Sequence, residues 1–138
     1  MMTAAAGLKT FIVEDSAIIR ENLIATLEET TPVRVVGTAE AEDGALHWLS
    51  DPGHDCELVI VDIVLKQGTG LGVLRSQAVR RPQRRFVVLT NYASADIRRR
   101  CAELGADRVF DKSNELDDLI AFCSEIGAAA ADRPAAGA

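Results

Sequence analysis

Aromatic side chains, cysteines and long apolar runs are all scarce in this chain of 138 residues. One Trp, one Tyr and four Phe leave the core to be built mainly from aliphatic side chains, within a hydrophobic fraction of 48%. The three cysteines, Cys56, Cys101 and Cys123, are odd in number, widely separated and form no CxxC pair. That spacing argues against a disulfide framework or a thiolate metal site and reads as small core or surface thiols. No apolar run approaches the roughly 20 residues a membrane span needs. The opening MMTAAAGLKT has no apolar signal-peptide core, so a cytoplasmic location is the expectation. Basic charge is also in deficit: 15 Lys and Arg face 21 Asp and Glu, a net charge of −6. General nucleic-acid affinity, which rests on phosphate neutralisation, is thereby disfavoured. His47 and His54 fall in different segments with no ligand-like pairing.

What the chain does have is a set of short β-type runs near 9–14, 33–39, 57–62, 85–90 and 108–111. Their apolar residues are consecutive rather than alternating, the pattern of strands buried on both faces and hence parallel. The spacing between runs leaves room for a helical crossover each time. Ser16 is a candidate cap for a helix reaching about Thr30, with Ile19, Leu23, Ile24 and Leu27 at helical spacing. Further helices are expected at about 41–50, Gly70–Val79, 94–104 and Asn114–Ala128, with Gly105 ending the fourth. The result is a flavodoxin-like, doubly wound α/β fold with five helices and a five-stranded parallel sheet of order 2-1-3-4-5. The domain is expected over 8–128, with 1–7 and the low-complexity 129–138 as disordered tails. After Lys112 only one helix and a tail are expected, with no separate output domain.

Four of the runs end in polar groups. FIVED ends in Glu14-Asp15, LVIVD in Asp62, FVVLT in Thr90 and RVFDK in Lys112. In an open parallel sheet, ligands bind just beyond the carboxyl ends of the strands, at the point where strand order reverses. Glu14, Asp15 and Asp62 gathered there make a hard-oxygen site suited to Mg²⁺, which keeps several waters and so has room for a phosphoryl oxygen. An Asp carboxylate can attack phosphorus, while Lys112 and Thr90 can pair with phosphoryl oxygens. Each of these residues alone has an ordinary reading: a solvated turn, a helix cap, β propensity, a surface lysine. Their occurrence together at matching strand ends carries the argument.

The chain resembles the receiver domain of bacterial two-component response regulators over about residues 8–127. The resemblance rests on Glu14-Asp15, Asp62, Gly70 eight positions later, Thr90, the Gly105-Ala106-Asp107 turn and Lys112. It implies that Asp62 accepts a phosphoryl group from a histidine kinase or phosphotransfer protein. It further implies that Glu14, Asp15, Asp62 and the Val64 backbone carbonyl hold Mg²⁺. Thr90 and Lys112 would read the phosphoryl group and alter binding of a downstream protein effector, or of a second copy as a homodimer, through helix 4, strand 5 and helix 5. Such a protein is a switch that gains and loses its own phosphoryl group, and no turnover enzyme. The chain departs from the family pattern at Lys66 and Ser113, where proline is usual, and at Asn91, where Ala or Gly is usual. Val109 occupies the place of the switch aromatic, with Tyr92 as a substitute and Phe110 expected on the opposite face.

Other signals are weaker. GTGLG at 68–72 follows the third strand and is no GxGxxG fingerprint, so it reads as a tight turn after Asp62. The acid pair after strand 1 repels the phosphate of a flavin, and Val64 stands where a haloacid-dehalogenase phosphatase needs a second acid. The runs Arg80-Arg81, Arg84-Arg85 and Arg98-Arg99-Arg100 read as solvated helix faces and helix-end charges, those on helix 4 being open to an acidic protein partner. The alternative to a switch is a constitutive interaction module with this fold and an unused site.

Overall fold

The computed structural model describes residues 7–132, with the side chains of 130–132 left aside. The elements are β1 (Leu8–Val13), α1 (Ala17–Thr30), β2 (Val33–Ala39), α2 (Glu42–Ser50), β3 (Leu58–Val61), α3 (Gly70–Arg75), β4 (Arg85–Thr90), α4 (Ala95–Glu103), β5 (Arg108–Asp111) and α5 (Leu116–Asp132). The five strands are parallel in the order β2-β1-β3-β4-β5, as the apolar runs imply.

Burial explains why the central strands carry no alternation. Leu58, Val59, Ile60 and Val61 of β3 are at most 2% exposed. Val59 and Val61 face one core with Ala45 and Leu49 of α2, Val73 and Leu74 of α3, and Cys101 of α4. Leu58 and Ile60 face the other, with Leu23 and Leu27 of α1 and Leu119, Phe122 and Cys123 of α5. At about 1.5–3 kcal/mol for each fully buried aliphatic side chain, a polar substitution on either face of β3 is costly. Phe110 joins the second core while Val109 packs on the first, the alternation expected of β5.

Several boundaries differ from expectation. Helix α3 stops at Arg75 instead of continuing to Val79. The Ser76 hydroxyl accepts the Ala78 N–H, a local turn that competes with the helix. The Arg80 guanidinium takes the Leu74 carbonyl that a longer helix would have used. Helix α5 begins at Leu116, because Asp111 organises the preceding turn: its side chain accepts the Ser113 N–H and its carbonyl accepts the Glu115 N–H. The helix continues to Asp132, past the expected end near Ala128, so 129–132 of the expected 129–138 tail are helical; the remainder of the expected tails, 1–6 and 133–138, lies outside the described residues. No cis peptide occurs among the described residues, so the Lys112–Ser113 bond is trans. Ser16 and Ser94 cap α1 and α4, and Gly105 follows α4 with φ of 95°.

Candidate functional site

Parallel register brings the carboxyl ends of β1, β3, β4 and β5 to one edge. Val13 pairs with Val61, and Thr90 with Asp111. Just beyond them lie Glu14, Asp62 and Lys112. The Asp62 N–H donates to the Val13 carbonyl at 3.0 Å, and the Lys112 N–H donates to the Thr90 carbonyl at 3.0 Å. These main-chain bonds extend each ladder by one residue and fix where the functional side chains leave the sheet.

The Lys112 ammonium bridges the two buried acids. Its Nζ lies 2.6 Å from Glu14 Oε1 and 2.7 Å from Asp62 Oδ2. Glu14 is 3% exposed and Asp62 7%. The remaining oxygens are also used: Glu14 Oε2 accepts the Ser16 N–H at 3.0 Å, and Asp62 Oδ1 accepts the Ile63 N–H at 2.6 Å. Burial is the largest single influence on the Lys112 ammonium and acts to lower its pKa. The hydrogen bonds and charges of Asp62 and Glu14 together outweigh burial and hold the pKa above its usual 10.5. Thr90 is fully buried at the end of β4, and its Oγ1 accepts the Tyr92 N–H at 3.2 Å. As a hydroxyl it still has a proton to donate.

The structure thus gathers Glu14, Asp62 and Lys112 directly. Asp15 is half-exposed and makes no hydrogen bond or ion pair among the described residues. No group of three or more His, Cys, Asp and Glu side chains among the described residues is arranged to hold a metal ion. The three acids are therefore not converged as ligands: two of them close on Lys112. The donor chemistry nonetheless suits a hard divalent cation, because two buried carboxylates here already require a positive partner and obtain it from a flexible side chain.

The loop after Asp62 is held by close approach and by α2. A Cβ on Gly70 would sit 2.1 Å from the Asp62 carbonyl oxygen, so only glycine lets α3 start there. Gly68 supplies the turn, with φ of 76°. A Cβ on Gly72 would meet the Glu42 carboxylate, so Gly68 and Gly70 serve the tight turn expected of GTGLG and Gly72 makes room for α2. Val64 pairs with Thr69 across the loop, and its side chain is 51% exposed. Lys66 makes an ion pair with Glu40 at 2.9 Å, the Gln67 carbonyl accepts the Glu42 N–H, and Glu42 Oε1 accepts the Thr69 N–H. Where proline would stiffen the loop covalently, side-chain and main-chain bonds to the start of α2 do so instead.

Several participants are not apparent from the sequence motifs. Arg20 donates to the Glu14 main-chain carbonyl at 2.7 Å and sets the bend after β1. The signal for it is positional: Arg20 shares the buried stripe of Leu23 and Leu27. Arg84 is 7% exposed and donates to the carbonyls of Leu49, Val79 and Cys56, which corrects its reading as a solvated charge. Arg80 likewise reaches the Leu74 and Leu104 carbonyls and lies over the Phe86 ring. The three cysteines are buried and unpaired; burial pushes Cys56 up to about 11 and Cys123 up to about 12.

The five-stranded parallel sheet with helices on both faces, and with two buried carboxylates and an ammonium at its switch point, is that of the doubly wound α/β proteins, which bind ligands just beyond the carboxyl ends of their strands. Within that class, the response regulator receiver domain model matches residues 10–124, and the chain belongs to this family. A protein-glutamate methylesterase/protein-glutamine glutaminase of Azospirillum brasilense is 30% identical over 132 residues, covering 90% of this chain and 33% of that protein. The DNA-binding transcriptional activator DevR/DosR of Mycobacterium tuberculosis is 26% identical over 121 residues, covering 88% of this chain and 55% of the relative. The chain thus spans between a third and about half of these relatives. A response regulator protein from Burkholderia pseudomallei, solved with a phosphorylated aspartic acid, calcium ion and citrate, matches with a TM-score of 0.72 at 25% identity. That match covers 88% of this chain and 72% of the other. No described helix is long and apolar enough to cross a membrane.

Proposed function

We propose that this receiver domain is a phosphorylatable switch in which Asp62 accepts a phosphoryl group from a histidine kinase or phosphotransfer protein. The observation that carries the reading is the Lys112 ammonium shared by Asp62 and Glu14 at the sheet switch point. An Asp62 carboxylate oxygen attacks phosphorus, the bond to the donor's histidine nitrogen breaks, and an acyl phosphate results. Transfer needs alignment and charge neutralisation more than covalent help. Lys112, already 2.7 Å from Asp62 Oδ2, pairs with one phosphoryl oxygen. Thr90 donates its hydroxyl proton to another. Asp15, Glu14, Asp62 and the Val64 carbonyl are the groups that would hold Mg²⁺. The cation, when bound, supplies the divalent charge that offsets the phosphoryl oxygens. The domain turns over no substrate; its output is altered binding of a downstream protein effector or of a second copy.

Acetyl phosphate with Mg²⁺ should add one phosphoryl group per chain, read by intact mass. Asp62→Asn should add none, and a variant labelled as fully as the parent would refute the assignment. A parent chain that is never labelled, by small donors or by candidate kinases, would point to the constitutive interaction module instead.

A further inference from the structure

One guanidinium joins four segments on the side of the sheet that follows Thr90. Arg98 of α4 donates from Nε to the Ala93 carbonyl at 3.1 Å and from Nη1 to the Val109 carbonyl at 3.1 Å. Its Nη2 reaches Glu115 Oε1 at 2.7 Å. The same Glu115 oxygen accepts the Asp111 N–H at 2.8 Å, and Glu115 immediately precedes α5. The β4–α4 loop, β5 and the turn leading into α5 are thus tied to a single rigid, planar group carried by α4. The Arg98 hydrogen bond is the largest of the influences holding the Glu115 carboxyl below its ordinary range, so the link stays charged at neutral pH.

Aromatic coupling has no side chain to carry it. Position 109 is valine, Tyr92 is 60% exposed, and Phe110 lies in the opposite core beside Phe122. We propose that Arg98 is the positioning residue that conveys a change at Asp62 to helix α4, in place of a moving aromatic ring. The inference rests on the reading of Asp62 as a phospho-acceptor. The contacts form a closed loop. Asp62 holds Lys112, and the Lys112 N–H holds the end of β4. The neighbouring Asp111 N–H holds Glu115, Glu115 holds Arg98, and Arg98 holds the Ala93 carbonyl. One residue before Ala93, the Tyr92 N–H returns to Thr90 Oγ1. A phosphoryl group at Asp62 draws on Lys112 and Thr90, the two ends of this loop, and sets a nearly dianionic group where a single carboxylate charge stood. Displacement of either end reaches Arg98, and a guanidinium moves its three acceptors together. Helix α4 bears the other end of that arginine and shifts with it.

The test uses the full chain and amide NMR spectra with and without Mg²⁺ and beryllium fluoride, an acyl-phosphate mimic. In the parent, amides of 62–64 and of 95–99 should both move. In Arg98→Gln the first set should move as in the parent, and the second about fivefold less. Arg98→Lys should behave like Arg98→Gln, since an ammonium keeps the charge and loses the fork. Glu115→Ala breaks the same link from the other side and serves if the Arg98 variants do not fold. A merely structural Arg98 would lower melting temperatures and leave the ratio of the two responses unchanged. An α4 response equal to the parent's in these variants overturns the inference. A parent that moves at 62–64 and not at 95–99 overturns it also, while leaving the switch reading in place. A parent that moves at neither overturns both.

Discussion

Replacing Lys112 by methionine removes one charge and little volume, and the structure says what that should do. The ammonium is the cation shared by Glu14 and Asp62, whose side chains are 4% and 9% exposed. Breaking a buried ion pair from one side typically costs about 3–5 kcal/mol, because the remaining charge keeps its desolvation penalty. Here two carboxylates are left facing each other, yet each retains a main-chain N–H donor, from Ser16 and Ile63. The lower end, about 3 kcal/mol, is therefore expected, which for a domain of this size is roughly a 10 °C fall in melting temperature. Urea denaturation at pH 7.5 in EDTA measures it. Mg²⁺ should restore part of the loss in Lys112→Met and stabilise the parent less, since in the parent the charge is already supplied. The pH dependence has a definite sign. The folded-state pKa of Lys112 is raised above 10.5, so its contribution is whole below that pH and is lost as pH rises through the higher folded value. Parent and variant should therefore converge in strong alkali. A variant within about 1 kcal/mol of the parent in EDTA would refute the ion-pair account, as would equal stabilisation of both by Mg²⁺.

Two further substitutions test the frame around the site. Gly70→Ala places a Cβ, fixed by the main chain, 2.1 Å from the backbone carbonyl oxygen of Asp62, so a loss at or beyond the ~3 kcal/mol upper range of overpacking is expected in urea melts, and a loss below ~1 kcal/mol would show that the loop yields. Arg84→Met strands the Leu49, Val79 and Cys56 carbonyls and should cost about 3 kcal/mol, whereas exposed Arg75→Met should cost under ~0.5; equal effects would return Arg84 to the solvated surface.

The contrast between Asp62 and Arg84 shows what was legible in the sequence. Asp62 stands out because four fully buried residues precede it, and burial on both faces imposes a composition that can be read without coordinates. Largely buried runs likewise precede Glu14 and Thr90, whereas Lys112 follows an edge strand with one buried residue, Phe110, and is marked by its strand-end position alone; register then makes Glu14 and Asp62 neighbours. Arginine burial has no such signature. Arg84 and Arg98 sit within basic runs whose other members are mostly solvated, and what separates them is the set of carbonyls each reaches across up to 35 residues of chain. The length of α3 was hidden for a similar reason, since it ends where the Ser76 hydroxyl and the Arg80 guanidinium intervene, and both act through three-dimensional placement. The pairing of Lys112 with both acids at once is likewise a matter of side-chain reach, which strand-end patterning does not encode.

The buried cysteines have a practical consequence. Cys56 lies before β3, Cys101 in α4 and Cys123 in α5, so the three thiols sample both faces of the sheet. Folded, they are shielded from solvent and shifted toward the unreactive thiol form. A thiol reagent therefore reacts with each only when its own segment opens, at a rate that reports the free energy of that opening. Native chain digested after timed labelling yields three independent opening clocks without any engineered probe. Cys101 times the helix that Arg98 anchors, and Cys123 times the helix on the opposite layer as its internal reference.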